Sequence, residues 1–591
     1  MSHKTVAEEL VRYLERRGVR HVFGLCGHTN IAVLAAMADS SRLQFVNVRH
    51  EQVAAHAADG YARVTGKAAV LLTHLGPGLT NAATGVANAA LDCIPMVVIA
   101  GDVPSHYFGK HPHQEVNLHA DGAQYEIYRP FVKRAWRVER ADLFPEVVEK
   151  AFQLAESGQP GPVLVDVPMD VFSAGVDPER FDRLDAGLHP LRRPSLNVET
   201  ARHIVKTLME AEQPVLYVGG GVLLARAADL LRQFVDHTGI PVAHSLMGKG
   251  ALPDDHPLLL GMSGFWGTAL VNQTCLGADW VMGLGTRFKE ADCSSWYRDY
   301  TFNIPGSRLI HIDIEPSEIG RNFPAEIGAV ADLHEALQVL CEVARQDYPK
   351  GKSNARLLEL IARSRAEFVA SNRAMQESEA FPMMPERILA EVRAQLPRDA
   401  IITTDVGWNK NGVGQQFDVY TPGSVLTPGG YATMGFGPPA AVGAKLAAPD
   451  RTVISLVGDG GFGQNPSVLA TARELHLPIT WLVMNNNAYG TIAGLQKSAF
   501  GLNHGTVFPT DSAGWDAQRP DYAEIARAYG CEGERLKSAG DLKPALRRAL
   551  ASRGPYVIDV PMKNNPTPTT GHWNILDIYN AGGRVGHVAT D

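Results

Sequence analysis

Asp459 and Asn486 stand 27 residues apart in the run TVISLVGDGGFGQNPSVLATARELHLPITWLVMNNNAYG, which reads strand, glycine turn, helix, strand, loop. A right-handed crossover between parallel strands puts both residues at the carboxyl edge of one sheet, where open α/β folds bind ligands. Gly458, Gly460 and Gly461 let the backbone approach a phosphate, and the following helix offers its first N–H groups to an anion. One carboxylate with one amide oxygen suits a hard Mg²⁺ that keeps phosphate oxygens in its shell. Gly-Asp-Gly is also a common turn and Asn-Asn-Asn a common loop. The spacing and the intervening helix are what join them into one site.

Three further runs carry candidate chemistry. RHEQVAAHAADGYAR (Arg49 to Arg63) places Glu51 where a strand hands over to an alanine-rich helix whose small residues permit close packing. A carboxylate there serves as a helix cap or as a catalyst. His50 and His56 are six residues apart, so they are not the i, i+4 pair of a zinc protease helix. THLGPGLTN (Thr73 to Asn81) reads as a turn into a helix. GGYATMGFGPPAA (Gly429 to Ala441) leaves room for a flat ligand, with Met434 either as its apolar support or as a filler of a core gap.

The elements that must position these residues recur along the chain. Apolar, β-branched runs at His21 to Gly27, Phe45 to His50, Ala69 to Thr73, Met96 to Ala100 and Val163 to Val167 look like buried parallel strands joined by helices. Arg183 to Asn197 is polar and proline-punctuated and reads as a linker. A second series has strands near Val215 to Val218, Val242 to His244, Trp280 to Leu284 and Leu309 to Ile314. A seam follows at Gln346 to Arg356, and after Pro385 a third series has strands at Ile401 to Thr404, Val453 to Val457, Thr480 to Met484 and Val557 to Val560. GPVLVDVPM (Gly161 to Met169) and GPYVIDVPM (Gly554 to Met562) share their first two and last four residues, so the outer units read as variants of one fold. The expected fold class is α/β, with three doubly wound parallel-sheet domains. Like domains commonly build a site between them.

The 591 residues allow two to four domains at about 150 residues each. The formal net charge of −8 argues against a nucleic-acid or polybasic membrane-surface role. Hydrophobic residues at 45% supply a large core. Six scattered cysteines with no CxxC pair argue against a disulfide framework or a zinc ribbon and point to a reducing compartment. The start reads as an amphipathic helix without the apolar core of a signal peptide, and no run is long enough to span a bilayer, so a cytoplasmic protein is expected.

The four runs together resemble the thiamine diphosphate enzymes, most closely the acetohydroxyacid (acetolactate) synthase branch, whose patterns read RHEQ-AAHAADGYAR, SGPG-TN, GG-GTMG-G-PAA-GAK and GDG…NN. LMGKGALPDDHPLLLGM (Leu246 to Met262), GLGTRF (Gly283 to Phe288) and HIDIEPSEIG (His311 to Gly320) extend the likeness through the middle unit. The resemblance implies a pyrimidine-binding domain at 1–182, a central domain at 198–345, a diphosphate-binding domain at 373–565 and a tail at 566–591. It implies that Asp459, Asn486 and the Ala488 carbonyl hold Mg²⁺, which holds the cofactor's diphosphate beside Val406, Gly407, Trp408 and Asn409. Trp408 and Asn409 stand where synthases usually have Gln and His. Glu51 would hydrogen-bond N1′ of the aminopyrimidine, favouring the tautomer whose 4′-nitrogen removes the thiazolium C2 proton. The Ala432 carbonyl would fix the 4′-amino group, and Met434 would hold the cofactor bent. In the family Glu51 and the metal site come from different subunits, which implies a homodimer or homotetramer.

Other positions depart from the synthase pattern. Leu495 stands where synthases have the Trp that selects the second 2-oxo acid, Val53 replaces a Gly, and His113 replaces a Phe. Arg287 matches the family's substrate-carboxylate arginine, with a surface-pairing role as the alternative, and Gln114 matches its pocket glutamine. Gly27-His28-Thr29-Asn30 resembles the Gly-His turn of the thiamine diphosphate-dependent cyclic dione hydrolases, with His74 near it. The two imidazoles serve acid–base steps there, or each is structural. Three functions follow: a synthase-like enzyme acting on a 2-oxo acid by decarboxylation with acyl transfer or carboligation, a hydrolase of a cyclic 1,2-dione, and a non-catalytic cofactor-binding subunit. GGGV (Gly219 to Val222) lacks the full dinucleotide fingerprint, and GYARVTGK has Ala68 where a phosphate loop needs Ser or Thr. The synthase-like middle unit leaves FAD open as a bound passenger.

Overall fold

The computed structural model describes residues 4–119, 123–184, 186–187, 191–508 and 520–564. The tail expected at 566–591 and residues 185 and 188–190 of the linker lie outside the described residues.

Runs such as Ala69–Thr73 and Met96–Asp102 are buried along their whole length, which is why they are continuously apolar and not alternating. They build three six-stranded parallel sheets. In the first, Gln44–Asn47, His21–Gly24, Ala69–Thr73, Met96–Asp102, Pro162–Pro168 and Ala135–Arg137 lie side by side in that order. In the third the neighbours are Val425–Leu426, Ile401–Thr404, Val453–Gly458, Thr480–Asn485, Tyr556–Pro561 and Glu532–Arg535. Counted in chain order within each sheet, both run 2-1-3-4-6-5, and the DVPM motif that the two units share lies at the end of the sixth strand in each.

The middle sheet runs 3-2-1-4-5-6: Leu259–Met262, Val242–His244, Pro214–Val218, Trp280–Leu284, Arg308–Asp313 and Ile327–Val330. That is the order of dinucleotide-binding sheets, with its reversal point between the first and fourth strands. Residues 346–356, expected as a seam, hold the end of helix Leu333–Asp347 and the start of the 22-residue helix Ala355–Gln376.

The outer domains pack on each other through helices Glu51–Thr65 and Gly437–Ala447. A Cβ on Gly443 would stand 1.8 Å from the Ala57 carbonyl oxygen, and one on Gly60 would stand 2.3 Å from that of Ala440. The two backbones therefore touch only because both residues are glycine. Among the described residues, no helix is long and apolar enough to cross a membrane.

Candidate active site

In the third domain, Gly458 pairs in register with Met484, so Asp459 and the residues after Asn485 emerge together at the carboxyl edge. Asp459 is 1% exposed and starts the short helix Asp459–Phe462. One end atom of the Asn486 side-chain amide lies 3.1 Å from Asp459 Oδ1 and 2.9 Å from the Ala488 carbonyl oxygen, and the other lies 3.3 Å from Asn564 Oδ1. With the amide oxygen inward, three oxygens face one point, the donor set of a hard cation. With the nitrogen inward, the amide donates to both and closes the cluster on itself. No group of three His, Cys, Asp or Glu side chains competes for a metal among the described residues.

Asp405, at the end of the neighbouring strand Ile401–Thr404, is fully buried and gathers the glycine turns. It accepts from the N–H groups of Val406 (2.8 Å), Gly435 (3.1 Å) and Gly437 (2.9 Å). A Cβ on Gly461 would stand 2.5 Å from Asp405 Oδ1. Burial raises the Asp405 carboxyl above its ordinary value, and the backbone donors work against that rise. Met434 is half-buried and outside the apolar core, so the gap-filling alternative does not describe it. Its methyl lies 3.3 Å from where a Cβ on Gly460 would be, and Tyr489 stands at 2.7 Å from the same point. Ala432 holds a left-handed φ of 54° in the turn before it.

At two of the positions expected to contact the diphosphate, the side chains are engaged elsewhere. The Trp408 ring folds over Gly412 onto the apolar cluster behind the sheet. The Asn409 side chain is committed, with Nδ2 donating to the Leu456 carbonyl (3.1 Å) and Oδ1 accepting from Lys410 N (2.8 Å). Their backbone N–H groups, in the first turn after Gly407 (φ 117°), are what remain for an anion.

In the first domain Glu51 opens helix Glu51–Thr65 and is 4% exposed. The cap itself is His50, whose Nδ1 accepts from Gln52 N (3.2 Å), so Glu51 is released from that task. Asn81 Nδ2 donates to Glu51 Oε2 at 3.0 Å. Glu51 is bound by Asn81 of the first domain, and Asp459 by Tyr522 and Asn486 of the third.

The two histidines meet at the point where the first sheet's strand order reverses. The His28 and His74 rings stand edge to face with centroids 4.7 Å apart, and His113 stacks on His28 at 6.2 Å. His74 is 8% exposed and engaged at both nitrogens, Nδ1 with Thr29 Oγ1 and Nε2 with Gln114 Oε1, each at 2.9 Å. None of the hydrogen bonds among the described residues involves the exposed His28 ring. Desolvation, and then the facing His74 and His113, lower the pKa of His28 below its ordinary value. A Cβ on Gly27 would stand 2.3 Å from the His74 ring, so this approach requires glycine. Gln114 holds its place with φ 65°. Sequence reasoning gave no role to Thr29, Asn81, Asp405 or Asn564, although Thr29 and Asn81 lie inside runs it singled out.

Arg287 joins neither cluster. It donates to the Leu91 carbonyl (2.7 Å) and to Cys93 Sγ and pairs with Glu318 at 3.4 Å. Leu495 is half-buried in helix Gly490–Phe500. Arg287 also lines a cavity of about 960 Å³ at the reversal point of the middle sheet. Its floor is two glycine turns pressed together, since a Cβ on Gly219 would meet the Gly285 carbonyl oxygen at 2.1 Å. That volume and position suit a dinucleotide.

Comparison with known proteins places each domain. Residues 4–121 match the thiamine pyrophosphate enzyme N-terminal TPP binding domain, 201–340 the central domain and 405–560 the C-terminal TPP binding domain. A probable acetolactate synthase large subunit of Methanocaldococcus jannaschii is 34% identical, over 94% of this chain and 91% of its own length. An acetolactate synthase large subunit of Corynebacterium glutamicum is 34% identical over 94% and 86%, and the isozyme 3 large subunit of Escherichia coli 33% over 92% of each.

Proposed function

The chain belongs to the thiamine pyrophosphate enzyme family, and from that membership we propose that it is a thiamine diphosphate- and Mg²⁺-dependent enzyme that decarboxylates a 2-oxo acid and passes the acyl unit to an acceptor, as an acetolactate synthase does. The observation that carries this reading is the convergence of Asp459 Oδ1, the Asn486 amide and the Ala488 carbonyl within about one cation's reach, at the sheet edge beside Gly460 and Met434. We assign residues 1–182 to pyrimidine binding, 198–345 to the central domain and 373–565 to diphosphate binding.

Thiamine diphosphate, when bound, supplies a ring that accepts the electron pair released as a bond beside a carbonyl breaks. The protein's own residues do the rest. Asp459, Asn486 and Ala488 would hold Mg²⁺, and Gly458, Gly460, Gly461, Val406 and the N–H groups that follow Gly407 would face the diphosphate. Glu51, relieved of capping by His50 and steadied by Asn81, would hold a proton at N1′ of the pyrimidine. The Ala432 carbonyl would accept from the 4′-amino group, while Met434 would support the bend. Gln114, oriented by His74, would face the substrate.

Glu51 lies in the N-terminal and Asp459 in the C-terminal TPP binding domain, which supports a site built between two copies, in a homodimer or homotetramer. The middle cavity supports a bound dinucleotide such as FAD, and a flavin spectrum of the purified protein tests it. Six unpaired cysteines, five of them buried, support a reducing, cytoplasmic setting. Formation of acetolactate or a related hydroxyketone from pyruvate, with cofactor and Mg²⁺ saturating, tests the main reading, and its absence counts against it.

The cluster of His28, His74 and His113 favours a second reading, hydrolysis of a cyclic 1,2-dione. His74 has both nitrogens engaged, so His28, which stands edge to face with it and stacks with His113, is the imidazole assigned the acid–base work. Ring-opened acid from cyclohexane-1,2-dione, lost in His28→Ala, is the outcome this reading requires.

A further inference from the structure

Gly429 and Gly430 open the turn that carries Ala432 and Met434, and both donate their N–H groups to one carboxylate of another domain. Gly429 N reaches Asp92 Oδ2 at 3.0 Å and Gly430 N reaches Asp92 Oδ1 at 2.6 Å. Asp92 ends helix Gly76–Leu91 and is paired at 2.8 Å with Arg63, from the helix that begins at Glu51. Arg63 also binds Asp59 (2.5 Å) and the Thr427 carbonyl (3.2 Å), and lies over the Phe436 ring, 5.2 Å from its centroid. Asn88 in turn donates to Asp59 at 2.9 Å. The two first-domain side chains thus hold the third-domain turn on both sides of Ala432 and Met434, at 427, 429, 430 and 436.

The contact is fitted and not incidental. A Cβ on Gly430 would stand 2.4 Å from Lys289 Nζ, 2.8 Å from the Leu91 carbonyl oxygen and 2.9 Å from Asp92 Oδ1, so only glycine lets the turn reach the carboxylate. Burial alone would raise the Asp92 carboxyl, but Arg63 and Lys289 beside it hold it below its ordinary value, so it is ionised. A buried pair of this kind repays its desolvation only when every partner is in place, which makes its geometry exacting.

We propose that Asp92, locked by Arg63, is a positioning residue that sets the Ala432–Met434 turn and fastens it to the helix beginning at Glu51. The inference rests on the reading of that turn as a cofactor contact. It gives a reason for two glycines, a carboxylate and an arginine that no step of the chemistry uses.

The test measures dissociation constants for thiamine diphosphate and for inorganic diphosphate, both with saturating Mg²⁺, by tryptophan fluorescence of the full chain. Asp92→Asn is expected to weaken thiamine diphosphate about tenfold, the scale of one lost charge-assisted bond, and to leave inorganic diphosphate unchanged, because the Asp459 end is untouched. In a double-mutant cycle with Met434→Ala, the two losses are expected to be non-additive. Unaltered thiamine diphosphate binding, equal loss of both ligands, or strict additivity would each overturn the proposal. If Asp92→Asn does not fold, Gly430→Ala breaks the same contact from the turn side, and the same outcomes decide. A wild-type protein that binds neither ligand refutes the cofactor reading itself, and the brace with it.

Discussion

Asn81 reaches across from helix Gly76–Leu91 to donate to Glu51 Oε2 at 3.0 Å, fixing one carboxylate oxygen at the start of the neighbouring helix. The pair sits in the first domain, while the oxygens fit for a cation sit in the third. That separation sets the first prediction.

Glu51→Gln and Asp459→Ala are each expected to be inactive, yet mixing the two chains under conditions that exchange subunits should restore activity. Random two-fold assortment of sites shared between copies gives roughly a quarter of the wild-type rate. Equal mixtures assayed for turnover after exchange check it. No recovery despite demonstrated exchange would mean that each chain completes its own site.

The metal prediction concerns Asp459 and Asn486. Asp459→Asn removes the only formal charge in the oxygen cluster, so the Mg²⁺ concentration for half-maximal cofactor binding should rise by at least about tenfold. Titration of EDTA-treated protein with Mg²⁺ at fixed thiamine diphosphate reads this. An unchanged titration would remove the cluster from consideration.

His28 provides a pH test that separates the two catalytic readings. Its pKa is lowered, chiefly by desolvation and then by His74 and His113, so the ring is neutral at pH 7 and gains a proton only as pH falls below the ordinary histidine range. If His28 acts as the base in dione opening, the rate falls on that acid limb, and His28→Ala lacks the limb as well as most of the rate. A synthase acting on pyruvate would show no such change in the acid limb.

Asp559 links the third domain's core to pH. Burial raises its pKa from 3.8 to about 6, and its oxygens accept from Asn485 Nδ2 (3.0 Å) and Tyr522 N (3.1 Å). The folded protein therefore binds this proton more tightly than the unfolded chain, and the group's contribution to stability falls as pH rises from about 4 to about 6, by about 3 kcal/mol in total. Denaturant melts of wild type and Asp559→Asn across that window should show the wild type losing stability relative to the variant. A constant difference would contradict the assignment.

What the chain disclosed in advance depended on how local the cause was. The strands around Ala69–Thr73, Met96–Asp102 and Val453–Gly458 were legible because burial on both faces demands continuous apolar residues. Edge strands such as Glu532–Arg535 and Ile327–Val330 escaped notice, since half-exposed strands carry no such run. Asp459 and Asn486 were legible from turn, helix and spacing together. The side-chain directions of Trp408 and Asn409 were not, because they are decided by Gly412 and by the Leu456 carbonyl, contacts that exist only after folding. His28 and His74 were visible as a pair, but the division of labour between them rests on Thr29 and Gln114, which come from separate loops.

The central claim is that Glu51 acts on a thiamine diphosphate tethered through Asp459, and hydrogen–deuterium exchange at the cofactor's C2 position reads it without any substrate. With Mg²⁺ and cofactor saturating, quenched-flow exchange followed by NMR should be fast on the wild-type protein and slower by at least about a hundredfold on Glu51→Gln, with the cofactor still bound to both. Equal exchange rates on the two proteins would contradict the account.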